Sequence, residues 1–355
     1  MNKSFTHMII PTGLILIFPL LGVLIDGQSV LPYLVFPPEP VVTCHGTFSL
    51  PVFMAFILLI LTATLPFLKV GLIHTRKKSV AAAGPFPWWG VVSFSGLACF
   101  WIIAWTRFDW FVRFQPHTFF PLWICWIVSV NALVHQSKNQ CPLFTSPLKF
   151  LRLFIVSALF WWVFEYLNRF VGNWYYSASQ YRPWRYFLLA TLSFSTVLPA
   201  VETTKAYLLT FDRFKNGFAH CRPVPYLNSK PFAICLMICS CVCLCLMAMF
   251  PDALFPLVWV CPLLVLLGYR ILFNRRHILS GVVPGDFTMV VAYASAALVC
   301  GFFWEMFNMY SLARWQYTIP YVDVLHLFEM PLLGYAGYLP FGLECAVVID
   351  IVMEP

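Results

Sequence analysis

Two pairs of side chains stand out in this sequence: Glu165 with Asn168, and Glu305 with Asn308, each three residues apart inside runs that are otherwise apolar. That spacing puts both members of a pair on one helical face. A carboxyl beside an amide can hold or deliver a proton, or fix a ligand. Two more carboxyls, Glu202 and Glu344, each follow a Leu-Pro pair, Leu198-Pro199 and Leu339-Pro340. An ionised side chain at the centre of a bilayer costs roughly 2.5–3.5 kcal/mol on insertion scales, so acids in such runs are expected to face a protein interior. A carboxyl kept protonated by burial suits a general acid. Glu165, Asn168, Glu202, Glu305, Asn308 and Glu344 are therefore the candidate catalytic residues. The same groups could also serve only as hydrogen-bonded locks between helices.

The pairs belong to a longer internal similarity. FWWVFEYLNRFVGNWYY, followed after a loop by LPAVE, aligns in order with FFWEMFNMYSLARWQY followed by LPFGLE. Trp174 and Tyr176 answer to Trp315 and Tyr317. The two acids are 37 residues apart in one copy (165 to 202) and 39 in the other (305 to 344). Polar residues matching in order within apolar stretches point to a repeated helix hairpin, with units near 150–207 and 288–351. Trp174, Tyr176, Trp315 and Tyr317, with Glu329, are the candidate substrate-binding residues. Ring faces stabilise cations, and a protonated carboxyl can start a carbocation reaction.

These groups need elements to position them, and composition says which. Hydrophobic residues make up 61% of the 355 residues and charged residues 10%. A soluble chain carries about a quarter charged residues. The expected class is an all-α integral membrane protein, one polytopic domain over 1–355. Its net charge of +8 is spread between apolar runs rather than gathered in a patch, which argues against a nucleic-acid partner. Apolar runs of about 20 residues mark about ten transmembrane helices, near 8–25, 51–68, 88–106, 118–136, 150–170, 186–207, 232–250, 254–273, 288–306 and 330–351. The first run lacks a small-residue cleavage site and is expected to be a retained span. The segments near 26–50, 69–87 and 208–231 are too short for a separate core.

Lysine and arginine gather on the cytoplasmic side. With the N-terminus inside, the inner segments hold Lys3, Lys69, Arg76, Lys77, Lys78, Lys138, Lys149, Arg152, Lys205, Arg213, Lys215, Arg222, Lys230, Arg270, Arg275 and Arg276, sixteen of the twenty-two basic residues. The expected placement is a cell inner membrane, multi-pass, with both termini cytoplasmic. Spans 5–6 and 9–10 would then be parallel repeats.

Proline frees a helix carbonyl, and lipid tolerates this only where protein or a cavity satisfies it. Pro199 and Pro340, each near a glutamate, therefore suggest a lined cavity or a simple packing kink. The stretch FEMPLLGYAGYLPFGLE, with three glycines and two prolines, reads as close helix packing or as a half-open helix bordering a site. His45, His117 and His326 fall on the expected outer side and together could hold a divalent metal, though no clustered metal motif is present. Cys235, Cys239, Cys241, Cys243 and Cys245 alternate faces of one span and are expected to be small lipid-facing or packing residues.

The run WEMFNMYSLARWQYTIP with FEMPLLGYAGYLPFGLE, and the early YLVFPPEP with CHGTFSLPVF, resembles a group of uncharacterised multi-span bacterial membrane proteins. That resemblance implies a bacterial membrane protein. LPAVE and LPFGLE are also faintly similar to the proline-and-acid span motifs of membrane-embedded lycopene cyclases. The leading expectation is a membrane-embedded enzyme acting on a lipid or isoprenoid, with buried glutamates as acid and base. A proton-coupled transporter or lipid flippase and a non-catalytic scaffold are the alternatives. Membrane lipids and a lipid-like small molecule are the expected partners.

Overall fold

The computed structural model describes residues 3–38, 42–73, 84–177 and 181–354. Arg76, Lys77 and Lys78 lie outside the described residues, as does the side chain of Lys3. The chain is an all-α multi-pass membrane protein. Among the described residues nine helices are long and apolar enough to cross a bilayer, and a bent pair brings the number to ten. The longer helices are α1 (Lys3–Ile25), α2 (Leu50–Ile73), α3 (Trp88–Trp105), α4 (Phe119–Lys138), α5 (Pro147–Val171), α6 (Pro183–Phe194), α7 (Val197–Leu208), α8 (Lys230–Met249), α9 (Cys261–Leu272), α10 (Thr288–Asn308) and α11 (Tyr338–Met353). Two short strands, β1 (Trp174–Ser177) and β2 (Arg314–Tyr317), pair with each other, and β3 (His326–Leu327) pairs with β4 (Met330–Pro331).

Three expected spans are interrupted rather than continuous. The sixth breaks at Ser195-Thr196 between α6 and α7. The eighth is a short helical stretch, Pro251–Trp259, bent by 49° against α9. The last starts as a 3-10 stretch, Leu332–Gly337, and becomes α-helical only at Tyr338. The cause is local. Pro199 and Pro340 both fall in the first turn of a new helix, where a missing N–H costs nothing. The groups freed at the sixth-span break are met from outside. Ser157 of α5 donates to Phe194 O at 2.6 Å and accepts from Leu198 N at 3.1 Å. A lipid-facing break would have no such partner.

The connecting segments sort into two sets, each bonded within itself. At one end Arg169 donates to Tyr33 O at 2.6 Å, Arg107 to Tyr310 O at 2.7 Å, and Ser49 N to Tyr321 O at 2.9 Å. At the other, Lys149 donates to Met353 O at 2.7 Å, Arg213 to Gly71 O at 2.6 Å, and Arg270 pairs with Glu354. Successive helices therefore run back and forth between two faces, as the apolar runs predict.

Helix α7 sits centrally, packed by α4, α5, α10 and α11, and every residue from Val197 to Thr204 is buried. The approach of α10 to α11 needs Gly342: a Cβ there would collide with the Tyr293 carbonyl. On the periphery, α2 is nearly unburied, and large side chains such as Leu58, Leu151 and Ile155 point outward. Apolar outward faces of this kind belong against hydrocarbon.

Candidate functional site

Helix α5 ends at Gly172, whose φ of 62° is the left-handed closure that a Cβ disfavours. Asn168, one turn earlier, shapes the segment beyond the helix. Its Oδ1 accepts from the N–H groups of Asn173 at 2.8 Å and Trp174 at 3.4 Å, and its Nδ2 donates to Trp174 O at 2.7 Å. The chain is folded back, and β1 lays Trp174 and Tyr176 over Glu165. Glu165 Oε1 then accepts from Tyr176 OH at 2.7 Å, Trp161 Nε1 at 2.9 Å and Trp174 Nε1 at 3.1 Å.

The end of α10 does the same with different details. Asn308 Nδ2 donates to Trp315 O at 2.8 Å, and its Oδ1 accepts from Trp315 N at 2.9 Å. Tyr317 OH donates to Glu305 Oε1 at 2.7 Å, and Tyr338 OH adds a second bond at 2.6 Å. Trp315 Nε1 turns instead to Tyr317 OH, at 2.9 Å. Glu305 Oε2 is buried with no partner among the described residues.

The two half-sites meet through the strand pair, which is antiparallel and reciprocal. Trp174 faces Tyr317 and Tyr176 faces Trp315, with Tyr175 opposite Gln316 at the centre. A cavity of about 340 Å³ lies against this ribbon. Trp161, Trp174, Tyr176, Trp315, Tyr317 and Tyr338 line it, with Trp259 and Trp304. Ser177, Asn173 and Arg314 are its polar edge, and Phe56, Leu59 and Ile60 of α2 close one side. The carboxyls sit behind the aromatic wall, and the phenols connect them to the space. Burial first, then the charge of the adjacent glutamate, holds the hydroxyls of Tyr176 and Tyr317 well above the usual phenol range. Both stay neutral and keep a proton to donate.

Not all of the expected residues gather here. Asn168 and Asn308 bind backbone and do not line the cavity. Glu202 lies elsewhere on α7, accepting from Lys205 at 2.8 Å and from Tyr293 OH at 2.7 Å, with the Lys205 ammonium 5.0 Å from the Tyr293 ring centre. Glu344 is buried on α11, its Oε2 without a partner among the described residues. The four carboxyls thus form two cavity-linked groups and two separate ones. Glu329 is not in the wall; it pairs at 3.1 Å with Arg314, a member of the polar edge.

The three histidines do not meet. His45 is bound by Asp252 Oδ1 at 2.6 Å and the Gly172 carbonyl at 3.1 Å. His326 bonds Asp323 at 2.9 Å, and His117 stacks on Tyr181. Each has its own local partner, so the expected shared metal set of His45, His117 and His326 is not formed. Among the described residues no three His, Cys, Asp or Glu side chains are grouped to hold an ion.

Sequence reasoning missed Trp161, Tyr338 and Tyr293. Trp161 was within reach, being four residues before Glu165 on the same face. Tyr338 and Tyr293 come from other helices, 33 and 91 residues from the acids they serve, with no spacing to betray them. No protein-family model, curated protein or solved structure matches this chain.

Proposed function

We propose that this chain is a membrane-embedded enzyme that rearranges an unsaturated lipid or isoprenoid by acid and base chemistry. The observation that carries the reading is the aromatic cavity whose wall phenols, Tyr176 and Tyr317, are hydrogen-bonded to buried carboxyls. A phenol in that position can hand a proton to a bound molecule and be refilled from the acid behind it. Indole faces around the space suit an electron-poor hydrocarbon intermediate. The wall contributed by α2, a helix scarcely buried elsewhere, puts the cavity beside the bilayer where such a substrate would reside.

The reciprocal register of β1 and β2 supports reading spans 5–6 and 9–10 as a duplicated hairpin, the two copies related by a local two-fold axis through Tyr175 and Gln316. Lys149, Arg213 and Arg270 on one face support the cytoplasmic assignment of that face in a bacterial inner membrane, with both termini there.

The test is expression of Glu165→Gln and Glu305→Gln with profiling of the membrane lipids. Glu202→Gln and Glu344→Gln, away from the cavity, are the comparison. Loss of one lipid product in the first two variants, with folding retained, is the expected result. Unchanged lipids in folded Glu165→Gln and Glu305→Gln would end the enzyme reading.

A further inference from the structure

The two half-sites differ where their chemistry would matter. Counting four residues back from each acid gives Trp161 in one copy and Gly301 in the other. Trp161 donates to Glu165. At Gly301 there is no side chain, and the ring of Tyr338 fills the place so closely that a Cβ would collide with it. Four residues on, Arg169 follows Glu165 while Met309 follows Glu305. Glu165 Oε1 is held by two indoles and one phenol, Glu305 Oε1 by two phenols.

An indole N–H can only donate, so it stabilises an acceptor and passes nothing on. A phenol both donates and accepts. The Glu165 half, with two indole donors and with Arg169 one turn on, its guanidinium bonded to the Tyr33 carbonyl, favours a carboxylate more than the Glu305 half does. The Glu305 half offers two phenols on the cavity wall and a buried carboxyl oxygen, Oε2, with no hydrogen-bond partner among the described residues.

We infer that the duplicated site has divided its labour: Tyr338 and Tyr317 deliver a proton from Glu305 to the bound molecule, and Glu165, through Tyr176, takes one away. This rests on the enzyme reading above and specifies it. The substrate class is a neutral alkene. A phenol proton adds to one alkene carbon, and the Glu305 proton refills the phenol. A C–H proton at a neighbouring position leaves through Tyr176 to Glu165, and its electron pair stays behind as a new double bond. The product is an isomer. Glu165 then yields its proton to water and Glu305 regains one from water, so no oxidant or reductant is consumed. Tyr338 is a catalytic residue on this account. Glu305 acts through it as proton reservoir.

The experiment has two arms, both on the full chain in lipid nanodiscs or in expressing cells. Infrared spectra in H₂O and D₂O report carboxyl protonation directly. Glu305→Gln should remove a protonated-carboxyl band that persists in Glu165→Gln, and Glu165→Gln should remove a carboxylate band. Tyr338→Phe, the milder change, should shift the Glu305 band and leave the Glu165 band in place. The reverse assignment would overturn the division of labour, as would a Tyr338→Phe protein with neither band moved. In cells, Tyr338→Phe should lower the lipid product at least about 10²-fold, the low end for loss of a general acid. A lost product with a reversed infrared assignment sinks this proposal and spares the enzyme reading. An unchanged lipid profile in folded Tyr338→Phe and Glu305→Gln sinks this proposal, and an unchanged profile in folded Glu165→Gln as well sinks both.

Discussion

The Tyr175 hydroxyl donates to Gln316 Oε1 at 3.0 Å, directly across the antiparallel pair that joins the two carboxyl half-sites. The pair marks the centre of the ribbon, yet both residues are only half-buried. The asparagines that fold the ribbon into place are bound more deeply: Asn308 is fully buried, and Asn168 engages the backbone of two residues. Asn168 and Asn308 should therefore matter more. Replacing either by Ala strands backbone groups, each worth about 1–3 kcal/mol when buried and unmet. Asn168→Ala and Asn308→Ala should lower the thermal unfolding midpoint in detergent clearly, and Tyr175→Phe by about 1 kcal/mol or less. Equal effects in all three would show that the asparagine bonds do not hold the ribbon.

Two glycines on one helix provide a test of packing in the membrane. On α1, a Cβ at Gly22 would run into the Cys245 backbone of α8, while nothing lies within 4 Å of one at Gly13. Gly22→Ala should cost about 1–3 kcal/mol through overpacking. Gly13→Ala should fall within about 0.5 kcal/mol of the parent. Matching unfolding midpoints for the two variants would remove the α1–α8 contact from the description.

Ser157 bridges the break in the sixth span, and its removal should be felt there. Ser157→Ala leaves the Phe194 carbonyl and the Leu198 N–H without their partner. The expected cost is about 1–3 kcal/mol, together with faster amide hydrogen exchange at Leu198. Exchange unchanged at that amide would mean the freed groups find another partner.

His277, outside the spans, should set a pH dependence. Burial, and then the nearby Arg270, pushes its imidazole from the ordinary 6.5 down to about 4. The unfolded chain binds a proton that the folded one refuses. Stability from this group is thus complete above pH 6.5, declines as pH falls from 6.5 towards 4, and levels off below. The full effect is at most ~3 kcal/mol at 1.36 kcal/mol per unit. Unfolding midpoints at about pH 7.5 and about pH 4.5, on either side of the ordinary imidazole range, should differ, and His277→Gln should shrink the difference. An unaltered pH profile in that variant would clear His277 of the effect.

How much of this could be read in advance depends on the physics of each feature. The spans were legible because lipid demands long apolar runs, and all ten apolar runs reappear within a few residues of their expected ends. The half-sites were legible in part: Glu165 with Tyr176 and Glu305 with Tyr317 recur in order along the chain, and they do bond. What could not be read was selection among the acids. Glu202 and Glu344 share residue type and apolar surroundings with Glu165 and Glu305, yet they sit away from the cavity. Their fate depends on which helix face looks where, and for Glu202 it is settled by Tyr293 of a separate span, beside Lys205 three residues on in its own helix. The histidines failed for a related reason, since depth along the membrane normal says nothing of lateral position.

The bend before α9 has a consequence for what the cavity can hold. Trp259, the last residue of the short stretch ahead of the bend, stacks on Trp174 with centres 5.4 Å apart and on Phe164 at 5.2 Å. Trp259 lines the pocket from the point where the span bends by 49°, so this stretch of wall is a bend and not the flank of a continuous rod. Any shift of that bend carries the Trp259 ring and the rings of Trp174 and Phe164 stacked on it, so backbone as well as side-chain size sets the shape of this wall.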